Sequence, residues 1–403
     1  MRSASCSTSP PRIPPGCGLA KKASQPRLAR PSWKPLPILL AALASLGGVS
    51  VRAQPTANPP PLPVVIDAKP SDPNRATVSW GDAYAGPLID THAHLNPPTG
   101  RRSGTPADVL AAATAARVDR ILLLPAPNEG VFRNAQPTQA ERLSLVRTSG
   151  GRVRRLCGSE YLTDWMRDIA RRGAAVDAKD LEARLGQLRG ELQSGTCVGV
   201  GEIGFLHFDT AGGQPVVRLP AAYPPFVAIA QAAAAAGLPM DIHAEPFEPD
   251  RTTSHHAEIY QTIAVLFRDS PGLRLIYSHN AFTNPRNARA LLNAFPGLTI
   301  NLRFAPREPW NHLDPIVNDQ GRLFEDWSEL LAEMPDRFVI GSDFLFGWNP
   351  RPIEDYTRLI QATRRNLGKL PPEAARKIAH ENAEHLFGTL PATFSPQASP
   401  VSK

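Results

Sequence analysis

Two histidines stand one residue apart in Leu88-Ile89-Asp90-Thr91-His92-Ala93-His94, at the end of a short apolar run. On an extended strand, residues two apart point to the same side. Both imidazoles can then approach one ion at about 2.0–2.1 Å, the usual zinc–nitrogen distance. Alone, the pair is equally compatible with two hydrogen-bonding side chains. Other apolar runs repeat the arrangement. VGVGEIG (198–204) carries Glu202, LPMDIH (238–243) ends in His243, LRLIYSH (273–279) ends in His279, and RFVIGSD (337–343) ends in Asp343. Any one of these is ordinary rim polarity, but together they converge on a divalent-metal site. A bound cation brings the pKa of water towards neutrality and polarises a carbonyl or phosphoryl oxygen. Asp343 is suited to orient that water, accept its proton and return it to a leaving group. Imidazoles with carboxylates suit one or two Zn2+ ions, with Mn2+, Fe2+ or Co2+ as alternatives.

The elements that must position these groups are eight short apolar segments: Pro87–His92, Arg120–Leu124, Val153–Gly158, Val198–Ile203, Pro239–His243, Leu273–His279, Leu298–Leu302 and Arg337–Ser342. Amphipathic stretches separate them, at Pro106–Arg117, Leu181–Gln193, Pro224–Ala236, His255–Phe267, Pro285–Phe295, Leu323–Met334 and Ile353–Leu367, with Glu373–Phe387 closing the series. Several begin at or just after proline, which the first helical turn tolerates. The alternation predicts a parallel α/β fold. Eight strands with helical crossovers predict a single (β/α)8 TIM barrel over residues 87–390, its metal site at the C-terminal strand ends. An open doubly wound sheet is the alternative, but no Gly-rich phosphate loop follows the first strand.

With these residues in place the chain resembles the amidohydrolase superfamily of metal-dependent hydrolases, over essentially Pro87 to Phe387. Glu202 in its GEIG segment resembles the bridging carboxylate of TatD-like metal-dependent deoxyribonucleases. KIAHENAEHLF (377–387) resembles the closing helix of the amidohydrolase-related branch. The resemblance implies that His92, His94 and Asp343 bind a first ion and that His243 and His279 bind a second. Glu202 then bridges the two. It also leaves open a single-ion version in which His279 or Glu202 transfers protons or acts from behind the ligands.

The N-terminus reads separately. Residues 1–35 carry basic residues and no acid, an apolar run spans Leu36 to Val51, and Val51-Arg52-Ala53 supplies small residues for cleavage. The run is short of the ~20 residues of a spanning helix. Residues 1–53 are therefore expected to be a secretory signal peptide, the mature protein periplasmic or secreted, with no stable membrane span. Residues 54–86 read as a proline-rich linker with a short strand or two, and 391–403 as a disordered tail. The net charge of +7 includes Arg2, Arg12, Lys21, Lys22, Arg27, Arg30, Lys34 and Arg52, so the remainder is close to −1. That balance gives no support for a nucleic-acid partner, which needs a cationic surface, and points to a small-molecule substrate. Cys157 and Cys197, in neighbouring strands, are equally readable as a disulfide or as two buried thiols.

Beyond the ligands, Arg303 ends the seventh strand and could grip a substrate carboxylate or phosphate, or pair with a loop acid. Glu160 and Asn128 are weaker candidates of the same kind. His207 lies four residues past the GEIG segment, exposed or reaching the mouth. His255 and His256 are expected to cap or flank a helix at the surface. Phe304–Gly321, with Trp310 and His312, is a long segment suited to a pocket wall. His380 and His385 belong to the closing helix. The expected activity is hydrolysis of a small amide, ester, lactone or related bond. A TatD-like phosphoesterase or nuclease and a non-oxidative decarboxylase are the alternatives, and a non-catalytic binding barrel fits least well, since a buried ligand set is costly without an ion.

Overall fold

β-Branched and aliphatic runs set the strand positions in the computed structural model, which describes residues 71–95, 105–127, 138–208, 215–248, 253–306, 314–347 and 350–389. The expected leader and tail, Asn128, Trp310 and His312 lie outside the described residues. The strands are β1 (Ile89–His94), β2 (Arg120–Leu123), β3 (Val153–Arg155), β4 (Val200–Phe208), β5 (Pro215–Arg218), β6 (Met240–Ala244), β7 (Leu275–Tyr277), β8 (Leu298–Leu302), β9 (Phe338–Ile340) and β10 (Phe344–Leu345). They form two sheets, β10-β1-β2-β3 and β5-β4-β6-β7-β8-β9. All pairings are parallel except that of β5, which turns back along β4.

The sheets approach one another at both ends. A parallel bridge joins Cys157 to Val200, and Val198 N donates to Arg155 O. On the other side the chain leaving β9 continues into β10, and Asp343 N donates to His92 O at 2.8 Å. The result is a distorted barrel-like α/β fold. Inward-facing Ile89, Leu122, Leu124, Leu156, Val198, Ile276 and Val339 pack into one cluster with Ala383, Leu386 and Phe387 of the final helix, Asn382–Phe387. Arg120, at the start of β2, donates to Gly388 O, and Asn382 Nδ2 donates to Pro335 O and Phe338 O near the start of β9. The last helix therefore covers the N-terminal ends of the strands, and the opposite ends are left for polar groups.

Helices follow the expected positions closely where their caps are strong. Pro106–Ala115 begins with a reciprocal Thr105–Asp108 capping box and a first-turn proline. Pro285–Ala294 is capped by Asn284, which accepts from Asn287 N at 2.9 Å. Thr138–Thr148 and Ser159–Arg171 are helices in addition to those expected. Ahead of residue 87, residues 71–86 contribute one bridge, Thr77 to Phe324, in place of a full strand. Cys157 and Cys197 form a disulfide between the segments that join the two sheets. Among the described residues, no helix is long and apolar enough to cross a membrane.

Phe387 is 5% exposed and anchors the interior cluster from below. Phe387→Ala is expected to cost about 3–5 kcal/mol, read by denaturant unfolding. A loss under about 1 kcal/mol would mean that the final helix does not close the interior.

Candidate metal centre

His92 and His94 end β1, Glu202 sits early in β4, His243 lies near the end of β6, and His279 and Asp343 follow β7 and β9. All six side chains come together. His92 Nε2 is 3.1 Å from His94 Nε2 and 3.3 Å from Glu202 Oε2. His94 Nε2 is 3.6 Å from Glu202 Oε2 and 3.3 Å from Asp343 Oδ1. On the other side of the same carboxylate, Glu202 Oε1 lies 2.7 Å from His243 Nδ1 and 3.0 Å from His279 Nε2. Asp343 Oδ2 lies 3.7 Å from His279 Nδ1 and 3.4 Å from Arg303 Nε.

The local backbone explains how the strands deliver these groups. Gly201 has φ of +145°, and a Cβ there would meet Asp241 Cβ and O at 2.8 Å, so glycine is required for β6 to lie against Glu202. His279 and Asp343 both adopt φ of +54°. Non-glycine residues rarely take this left-handed conformation, and it turns each side chain back over the strand ends. Asp90 ties β1 to the Asp343 turn: its carboxylate accepts from His92 N, Ser342 N, Ser342 Oγ and Tyr356 Oη at 2.6–3.2 Å.

The donor chemistry fits a divalent cation. His94 Nδ1 faces Leu124 O at 2.9 Å, and a carbonyl only accepts, so the ring proton sits on Nδ1. Its Nε2 lone pair then faces the His92 ring and the carboxylate oxygens of Glu202 and Asp343. Ligand atoms about 2.0–2.1 Å from a tetrahedral ion stand about 3.3 Å apart, close to the spacings measured around His92 and His94. A divalent-metal-binding cluster is therefore present, built of His92, His94 and Glu202, of His92, His279 and Asp343, and of Glu202, His243 and His279.

Electrostatics agree. Burial is the largest single influence and would lower the His92 and His243 pKa values, but the carboxylates together outweigh it, Glu202 with Asp241 at His92 and Glu202 with Glu245 at His243. His92 is raised well above its ordinary value and His243 to about 10. Burial would raise Glu202 and Asp343, yet the surrounding imidazoles hold both carboxylates below their usual range, with Arg303 adding to the effect at Asp343. Burial lowers His279 despite Asp343 and Glu202.

The fold also brings in residues not picked out from the sequence. Asp241 Oδ2 lies 3.5 Å from His92 Nδ1 and accepts from Asn301 Nδ2, while Asn301 Oδ1 accepts from His279 N at 2.8 Å. Glu245 contacts His243 and His207. Asp90, His92 and His94 share period-two spacing, as do Asp241, His243 and Glu245, so the strand logic applied to the His-x-His pair was the available signal. Arg303, which follows β8, lies beside Asp343, its Nε 3.4 Å from Oδ2. Glu160 instead pairs with Arg155, 3.7 Å away. His256, expected near the surface, is buried, its ring packed against Phe247 and Tyr260 and held by Ser254 Oγ and Thr283 Oγ1. His255 stays near Glu248 at 3.1 Å. His380 sits in the closing segment 3.5 Å from Tyr84 Oη, and His385 belongs to the last helix.

A barrel-like α/β fold with a buried divalent-metal cluster at one end of its strands defines a class of metal-dependent enzymes acting on small molecules. This chain belongs to the amidohydrolase family, whose profile matches residues 89–389. No curated protein matches it. Similar solved structures include a probable 2-pyrone-4,6-dicarboxylic acid hydrolase from Acinetobacter baumannii with citric acid bound, 14% identical, over 75% of this chain and 99% of that one, TM-score 0.47. An amidohydrolase from Burkholderia multivorans with bound zinc is 15% identical, over 76% and 100%, TM-score 0.41. A 5-carboxyvanillate decarboxylase from Sphingomonas paucimobilis is 16% identical, over 74% and 98%, TM-score 0.39.

Removing metal should expose the competition between proton and ion. Protonated His92 and His243 balance Glu202 in the metal-free protein, so metal uptake must release protons and tighten as pH rises. Raised histidine pKa values stabilise the metal-free fold fully below about 6.5, and that contribution is lost as pH climbs through about 10 at His243. The metal-free melting temperature should therefore fall from pH 7 to 10 while the metal-loaded one changes less. A metal-free melting temperature that rises over this window would contradict the assignment.

Proposed function

We propose that the protein is a metal-dependent hydrolase of a small-molecule amide, ester, lactone or related bond, built on a (β/α)8 barrel over residues 87–390. The observation that carries this reading is the Glu202 carboxylate, whose two oxygens face different imidazole sets. His92, His94 and Asp343 would hold one ion, His243 and His279 a second, and Glu202 would bridge them. The nitrogen and carboxylate donors favour Zn2+, with Mn2+, Fe2+ or Co2+ as alternatives. Bound ions would make water more acidic and polarise the oxygen of the scissile group.

The chain's own residues do the rest. Asp343 is 24% exposed, far more than His92, His94, His279 or Glu202, so it meets both the buried cluster and the solvent side. Held below the usual carboxylate range by His279, His94 and Arg303, it is available to take a proton from the attacking water and deliver it to the leaving group. Arg303 lies beside it, with a guanidinium suited to a substrate carboxylate. This last contact supports a non-oxidative decarboxylase as a second reading, because the clamp stands next to the proton-transfer group. The GEIG likeness supports a TatD-like phosphoesterase, against which the near-neutral charge of residues 54–403 counts when nucleic acid is the substrate. We read residues 1–53 as an export leader, which would make the mature protein periplasmic or secreted.

The test combines metal analysis with substrate screening. The purified protein should retain about two equivalents of metal, by analogy with two-ion sites, and Glu202→Gln should retain less. His92→Ala and Asp343→Asn should abolish turnover while the circular dichroism spectrum stays close to that of the parent. Hydrolysis of lactones, esters or amides supports the first reading, and loss of CO2 from aromatic carboxylates selects the second. No metal uptake, or full activity in either variant, would sink both.

A further inference from the structure

In the two-ion reading His243 would offer one nitrogen to an ion, and what its other nitrogen touches has no part in the chemistry described so far. His243 Nδ1 faces Glu202, while its Nε2 lies 2.8 Å from Glu245 Oε1. The same oxygen lies 2.6 Å from His207 Nδ1, and Glu245 Oε2 accepts from Phe208 N at 3.0 Å. His207 and Phe208 end β4, and Glu245 immediately follows β6. The Glu245 N–H in turn donates to Leu206 O at 2.9 Å, locking the two strand ends together. Glu245 is 5% exposed, and His207 reaches further towards solvent.

We infer that Glu245 is a positioning residue that fixes the tautomer and tilt of His243, with His207 bracing it from the solvent side. The inference rests on the two-ion reading above. For the Nδ1 lone pair to face an ion beside Glu202, the ring proton must sit on Nε2, and Glu245 Oε1 is the acceptor that keeps it there. His207 donates its Nδ1 proton to the same oxygen, and the Phe208 amide holds the other. The carboxylate is thus immobilised by three donors and cannot swing towards the ligand side of the ring.

His207, His243 and Glu245 are also close enough to hold an ion themselves. Both His207 Nδ1 and His243 Nε2 lie 2.6–2.8 Å from Glu245 Oε1, hydrogen-bond distance for two donors on one carboxylate oxygen. Taking His243 Nε2 as a ligand would also require a doubly deprotonated ring. The hydrogen-bonded brace is the better fit.

The test is metal binding by the full-length protein, read without turnover. Zinc and cobalt stoichiometry would be measured by elemental analysis, affinity by chelator competition, and geometry from the visible spectrum of the cobalt-loaded protein. Glu245→Ala should weaken one of two ions by roughly 10–100-fold and alter the cobalt spectrum, leaving the other ion in place. Glu245→Gln keeps an acceptor for Nε2–H and should recover most of that loss. If Glu245→Ala fails to fold, Glu245→Gln and His207→Ala still decide, since both should retain two ions, the second more weakly held. Two ions held with unchanged affinity in Glu245→Ala, or in Glu245→Gln and His207→Ala if Glu245→Ala does not fold, would overturn the brace and leave the two-ion reading standing. Three ions in the parent, falling to two in His207→Ala, would make this a metal site and overturn it as well. Fewer than two ions in the parent would overturn the two-ion reading first, and the brace with it.

Discussion

Glu202 places a carboxylate at 1% exposure, with one oxygen towards the β1 histidines and the other towards His243 and His279. Taking such a group from water costs several kcal/mol even after the protein relaxes. The cost is met only by positive charge on both sides of the carboxylate, from imidazolium or from an ion. His92 and His243 are themselves buried, and Glu202 is the largest of the charged partners that raise their pKa values against that burial. Each member of the cluster depends on the rest, and this mutual dependence sets how closely the surrounding strands must be held.

The fold meets that demand with local departures from regular structure. Gly201 admits β6 to van der Waals contact, and left-handed residues at His279 and Asp343 redirect two side chains into the same volume. Asp90 accepts four hydrogen bonds from β1, the Ser342 turn and Tyr356, fixing His92 and Asp343 relative to one another. Asn301 links His279 to the Asp241 side of His92. These groups touch ligands through their backs, and their burial leaves little freedom for the rings to turn.

Much of this was legible in the sequence because strand periodicity and ligand chemistry are both local. His92, His94, His243, His279 and Asp343 each close an apolar run, and the strand positions follow from the same runs. Glu202 was legible as a carboxylate but not as an early-strand residue, because β4 continues to Phe208 and pairs with β5, an extension that depends on a partner distant from the GEIG segment. Of the two additional helices, that at 138–148 is strongly polar and gives little apolar periodicity, whereas that at 159–171 carries Leu162, Trp165, Met166 and Ile169 at helical spacing and lacks only a capping side chain, with Gly158 at its N-cap. His256 was misread because its partner Thr283 lies on another element, which no local pattern reveals.

The two ends of the strands follow opposite rules, and the contrast bears on how the centre is reached. Leu386 and Phe387 seal the N-terminal ends with apolar contacts that favour folding without assistance. At the other end the polar groups gain their balance from one another. Exposure there is uneven: His92 and His94 are almost wholly enclosed and Arg303 is buried, whereas Asp343 and His207 reach towards solvent. Asp343 and Arg303 stand side by side there, a carboxylate oxygen 3.4 Å from a guanidinium nitrogen. The enclosed side, with His92, His94 and Glu202, gathers its charged and polar groups away from water.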